Sequence, residues 1–119
     1  MIAKSSVQTE LDVFLSTHTA VASESALWRG GQIKFTVSLF LTTDMPPDEL
    51  VTSARCMIVA FDQVLVLTNP DGEHILPGGR RERRESIEDA LVREVYEETG
   101  ITVQSSEHIA ISHYHHESP

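Results

Sequence analysis

Three features of the sequence predict an α/β fold. They are the period-two alternation from Ile33 to Leu41, the wholly apolar run from Cys56 to Phe61, and an amphipathic stretch of helical spacing from Ser86 to Thr99. The 119 residues suffice for one compact domain with a short extension and exclude two full domains. Hydrophobic residues make up 40%, enough for a core, and the single cysteine, Cys56, excludes a disulfide framework or a Cys-rich zinc fold. Nine basic against eighteen acidic side chains give a net charge of −9, which argues against a broad nucleic-acid surface and leaves a metal or a small, locally held substrate. No apolar run approaches the ~18 residues of a membrane helix. Met1 to Thr9 lacks the apolar centre of a signal peptide, so a cytoplasmic protein without a membrane partner is expected.

The first element expected is a helix over residues 5 to 22, because Val7, Leu11, Phe14 and Leu15 recur at helical spacing after the capping candidates Ser5 and Ser6. Gly30 and Gly31 break the chain after Trp28, which is assigned as a packing anchor. A strand follows, with Ile33, Phe35, Val37, Leu39 and Leu41 on its buried face and Lys34, Thr36, Ser38, Phe40 and Thr42 on the other. Asp44 to Asp48, with Pro46 and Pro47, ends it. Cys56 to Phe61 reads as a strand covered on both faces, with Cys56 an inert core thiol, turning at Asp62 and Gln63 into Val64 to Leu67. Asn69 to Gly72 forms the next turn, and a short strand around His74 to Leu76 runs into Pro77, Gly78 and Gly79. After an arginine-rich loop comes the helix from about Ser86 to Thr99, capped by Ser86 with Asp89 and stopped by Gly100. A last strand spans about Glu107 to His115, with Ile109 and Ile111 on one face.

The second helix holds the informative chemistry. On a wheel of 100° per residue, Ile87, Ala90, Leu91 and Val95 form its core stripe. Glu94 and Glu98 fall on that same stripe, and Glu97 lies just beside it. Carboxylates about 6 Å apart repel by ~2 to 3 kcal/mol per pair at an effective dielectric near 20, whereas exposed pairs of this spacing cost only a few tenths. If these three glutamates face inward, either their pKa values rise or a cation sits among them, and hard divalent ions accept such all-oxygen sites. The alternative is a solvated acidic face.

The run Gly79-Arg-Arg-Glu-Arg-Arg-Glu85, continuing through Arg93-Glu94-Val95, Glu97-Glu98 and Gly100-Ile101, matches the Nudix box at every specified position. With average residue frequencies a window matches by chance less often than about once in a hundred million. The preceding Leu76-Pro77-Gly78 resembles the family's entry into the box. The resemblance implies an α/β/α sandwich with a mixed sheet, preceded here by an N-terminal helix and strand. It places a Nudix domain at residues 50–119 and an extension at 1–49. It also implies Mg²⁺- or Mn²⁺-dependent hydrolysis of a nucleoside diphosphate derivative.

Carried over by position, Glu94, Glu97 and Glu98 would be the catalytic carboxylates and metal ligands, with the Gly79 carbonyl a further ligand. Glu94 is alternatively the general base. Arg93 would hold the first carboxylate in place, and Glu85 would be an outer member of the cluster. A non-catalytic nucleotide-binding module is the competing function.

Arg81 and Arg83, with Arg80 and Arg84, are either a phosphate clamp or a solvated loop balancing the acidic helix. His113, His115 and His116 are candidates for a transition-metal cluster, with plain exposure the commoner fate of alternate histidines. Family members usually continue well past the box, so the sequence is expected to be a fragment lacking further strands, and an unpaired sheet edge makes a homodimer a reasonable expectation.

Overall fold

The computed structural model describes residues 6–68 and 75–117. Its helices and sheets make it an α/β protein, and the chain divides into two compact units, Met1–Asp48 with Glu107–Pro119, and Glu49–Ser106. The second unit begins at Glu49, and residues 107–119 belong to the first.

The first unit opens with helix α1 (Ser6–Thr17), which buries Phe14. It stops before residue 22 because its own polar side chains take the last carbonyls: the Thr17 hydroxyl donates to Val13 O and Phe14 O, and His18 Nδ1 lies 2.7 Å from Phe14 O. Strand β1 (Ala22–Trp28) was not expected, since ASESALW carries no clear alternation. It forms because it pairs antiparallel with β2 (Ile33–Leu41), Trp28 opposite Ile33 through Ala22 opposite Leu39. Arg29, Gly30 and Gly31 take positive φ in succession between them, a bend that glycine makes at little cost. A 3₁₀ turn at Asp48–Leu50 begins at the end of this unit.

Strand β2 has the bounds its alternation predicts, but its buried end faces the other way. Phe40 is buried and Leu41 is exposed. The expected polar face carries the core there because Phe40 packs edge-on against Phe14 of α1, ring centroids 6.3 Å apart. A third strand, Ala110–Glu117, pairs antiparallel with β2 and completes the order β1, β2, last strand. It begins three residues later than expected, leaving Ile109 exposed and Ile111 opposite Phe40.

In the second unit the run from Cys56 to Phe61 is not the doubly covered strand its composition suggests. After β3 (Ser53–Arg55) only β4 (Val59–Ala60) is regular, in a two-residue hairpin with β5 (Gln63–Val64), and Met57, Val59 and Phe61 are exposed. So short a ladder offers no second sheet face to bury them. Cys56 is half-buried rather than a core residue, and its N–H donates to Pro77 O at 2.8 Å.

The expected turn at Asn69–Gly72 lies outside the described residues, as does His74. Strand β6 is Gly78–Arg80, further along the chain than the short strand expected around His74 to Leu76, and it pairs antiparallel with β3; Ile75 and Leu76 are not in a strand. Helix α2 (Ile87–Thr99) has the predicted caps: the Ser86 hydroxyl accepts from Asp89 N–H, and Gly100 closes the helix in the left-handed region with its N–H on Tyr96 O. Ala90, Leu91 and Val95 are buried, and α2 packs on β3 and β6. The last strand of the chain, in the first unit, is β7. No helix among the described residues is long and apolar enough to cross a membrane.

Candidate active site on the second helix

All the box residues lie in the second unit, on β6, on the loop that follows it, on α2 and at the α2 C-terminus, where Gly100 and Ile101 follow the helix. Strand β6 forms because its glycines admit close neighbours. A Cβ on Gly78 would overlap the Ala54 carbonyl oxygen and reach 2.5 Å from Arg55 Cα, and its φ of +141° excludes an unstrained side chain. A Cβ on Gly79 would stand 2.5 to 2.9 Å from the Glu94 carboxylate. The two residues therefore make room for different things, a paired strand and an acidic side chain.

Arg93 is the hub. It donates Nε–H and Nη2–H to the two oxygens of Glu85 at 2.8 and 2.9 Å, a two-pronged pair. Its Nη1 donates to Glu94 Oε1 at 3.0 Å and to Glu97 Oε2 at 3.4 Å, and its Nη2 also donates to the Arg80 carbonyl at 3.1 Å. Hydrogen bonding from Arg93 and from the Glu82 N–H pulls the Glu85 carboxyl down to about 2, and the same pair pushes the Arg93 guanidinium upward. Glu85 can reach Arg93 because the loop turns back at Glu82: Glu85 N–H donates to Glu82 O, the Glu82 N–H to Glu85 Oε1, and Arg84 takes a left-handed φ of 68°.

The three glutamates of the stripe are covered unequally. Glu94 keeps 20% of its side chain exposed and Glu97 56%, while Glu98 is an exposed residue whose Oε2 accepts from Gly78 N–H at 3.3 Å. Only Glu94 lies largely inward. The other two belong to the last turn of α2, beyond Val95, the last buried residue of the helix. Repulsion among them is offset at Glu94 and Glu97 by one shared guanidinium.

The donor set suits a hard divalent cation: three carboxylates on adjoining turns and the backbone carbonyl of Gly79, whose missing Cβ leaves the space that the Glu94 carboxylate fills. In this conformation Glu94 and Glu97 share Arg93 Nη1 while Glu98 takes the Gly78 N–H, and among the described residues no three acidic, histidine or cysteine side chains converge as a ready metal cluster. Arg81 is half-buried, with its N–H on Thr52 O, and Arg83 is exposed.

Sequence reasoning missed Arg55. From β3 its Nη1 donates to the carbonyls of Leu76 and Gly78 at 3.1 and 3.3 Å, bracing the segment that leads into the box. No local pattern marks it, since its partners lie 21 and 23 positions away. Cys56 lies close enough to Glu98 to feel its charge, which together with burial, the larger cause, raises the thiol's pKa.

A family model described as the NUDIX domain matches residues 49–119. A curated relative, the uncharacterized Nudix hydrolase YvcI of Bacillus subtilis, is 43% identical over 50 residues, which cover 41% of this chain and 32% of that protein. No solved structure matches significantly.

Proposed function

The chain belongs to the Nudix family, and from that membership we propose that it hydrolyses the pyrophosphate linkage of a nucleoside diphosphate joined to another group. The observation that supports this most directly is the Arg93 network, which holds both Glu85 and Glu94, the latter beside Gly79. A solvated acidic face would need no such hub.

Nudix hydrolases generally use divalent metal ions. Glu94, Glu97, Glu98 and the Gly79 carbonyl would hold Mg²⁺ or Mn²⁺, and the bound ion would neutralise phosphate charge and lower the pKa of a water. In the chemical step, water oxygen bonds to phosphorus, the anhydride P–O bond breaks, and the leaving phosphate departs with the bond's electrons. A carboxylate of the Glu94, Glu97 and Glu98 set takes the water's proton, and Glu94, the most covered, is the candidate base. Arg93 acts as a positioning residue, and Arg81 and Arg83 are the proposed phosphate contacts. The products are two phosphate monoesters, or a nucleoside monophosphate and pyrophosphate from a triphosphate. Exposed Val59, Phe61 and Val66 on the same unit support association with a second copy.

The test is a panel of nucleoside triphosphates, ADP-ribose and dinucleotide polyphosphates with Mg²⁺. At least one compound should be cleaved, and Glu98→Gln should lower its turnover by about 100-fold or more. Full activity in Glu98→Gln refutes the catalytic assignment. Tight binding of a panel member with no turnover would instead establish a nucleotide-binding module.

A further inference from the structure

The histidines near the end of the chain separate once β7 is paired. Side chains alternate across a strand, and the register puts His113 opposite Ser38 and His115 opposite Thr36, on one face of the sheet. His116 falls on the other face, where its ring meets Phe35 at 5.4 Å between centroids. His113 and His115 stand side by side, centroids 6.2 Å apart and ring planes 32° from parallel.

Other histidines are already engaged. His18 has both ring nitrogens in hydrogen bonds, to Phe14 O and to Asp44 Oδ2, and His108 Nε2 meets Asp44 O. By contrast, the ring nitrogens of His113 and His115 have no hydrogen-bond partner among the described residues. Glu117, next on the same face, is held by the Thr36 hydroxyl and by Lys34 at 3.3 Å. It therefore does not neutralise the pair through a direct bond.

We propose that His113 and His115 form a two-imidazole chelate for a late first-row divalent ion, Cu²⁺ most tightly, on the face of β7 opposite His116. The reach is sufficient. With metal–nitrogen bonds of about 2 Å and ring nitrogens about 1.2 Å from their centroids, two imidazoles on one ion have centroids at most about 6.4 Å apart. Closer, right-angled ligation needs only side-chain rotation. Imidazole pairs suit Cu²⁺, Ni²⁺ and Zn²⁺ and not Mg²⁺, and the affinity order of such ions places Cu²⁺ first. Burial, and then the neighbouring His115, lowers the His113 pKa, so this ring offers a neutral nitrogen further into the acid range than a free histidine does. Water completes the coordination, since no third histidine, cysteine or carboxylate converges there among the described residues.

This site shares no residue with the acidic helix. The experiment titrates the whole chain with Cu²⁺ under excess Mg²⁺, by calorimetry and by electron paramagnetic resonance. One ion should bind with two equatorial imidazole nitrogens. His113→Gln and His115→Gln should each weaken it by about 10-fold or more, because each removes one arm of a chelate, and His116→Gln should bind as the parent does. The proposal is overturned if neither His113→Gln nor His115→Gln changes the affinity, if His116→Gln weakens it equally, or if the spectrum reports a single nitrogen. Circular dichroism on each variant separates a lost ligand from a lost fold.

Discussion

Gly78 and Gly79 are adjacent in sequence, yet their substitution should have opposite consequences. At Gly78 an added methyl meets backbone, the Ala54 carbonyl and Arg55 Cα, at a φ that L-residues avoid. Gly78→Ala should part β3 from β6 and lower stability by about 3 kcal/mol or more. At Gly79 the same methyl meets only the end of the Glu94 side chain, which can swing away. Gly79→Ala should therefore keep most of its stability while losing turnover, because the carboxylate it displaces belongs to the proposed site. Paired denaturation curves and assays check this, and a Gly79→Ala protein of normal activity would remove Glu94 from the proposed chemistry. Both glycines are conspicuous in the sequence; the difference between them is not, because it depends on what β3 and α2 bring alongside.

The two helices show how much a terminus can encode. In α2 the Ser86 hydroxyl accepts the Asp89 N–H at 3.1 Å, and Gly100 adopts the left-handed turn that glycine accepts at no steric cost. Ser86→Ala should cost about 1 kcal/mol, read as a lower denaturation midpoint with an unchanged slope. An unchanged midpoint would mean that packing of Ala90, Leu91 and Val95 alone holds the first turn. In α1 the end was harder to foresee, because Ser16, Thr17 and His18 compete for the carbonyls of Val13 and Phe14 through side chains that propensity alone does not weigh. Strand β1 was invisible for a related reason: its sequence has little β character, and the ladder with β2 supplies what the composition lacks.

At the scale of the whole molecule, charge links stability to pH in both directions. Glu85, held by Arg93, has its carboxyl lowered from 4.5 to about 2. Its contribution is therefore complete above about pH 4.5 and is lost as pH falls from there through 2. Glu117, lowered by the Thr36 hydroxyl and by Lys34, acts in the same sense. His18 acts in the opposite sense. Its hydrogen bonds to the Phe14 carbonyl and to Asp44 raise its pKa above 6.5, so its contribution is complete below 6.5 and is lost as pH rises through the folded value. Melting temperature measured against pH should fall on both sides of a plateau. Glu85→Gln should flatten the acid limb, and His18→Gln the limb above neutrality. An acid limb unaltered by Glu85→Gln would show that the Arg93 pair contributes no folding energy.

What the sequence by itself determined is whatever depends on neighbours a few positions apart. The extent of β2 follows from a period of two, α2 and its caps from spacings of three and four, and the proposal that Arg93, Glu94, Glu97 and Glu98 act together from the box. The tertiary structure decided whatever depends on distant groups. It put Phe40 rather than Leu41 in the core, because Phe14 covers that face. It made a strand of Gly78 to Arg80 and left Met57, Val59 and Phe61 uncovered. It chose Glu94 as the covered glutamate and recruited Arg55 to brace the entry to the box. Local periodicity says which side chains share a face, but burial is decided by what packs against that face, and here the packing partner lies tens of residues away.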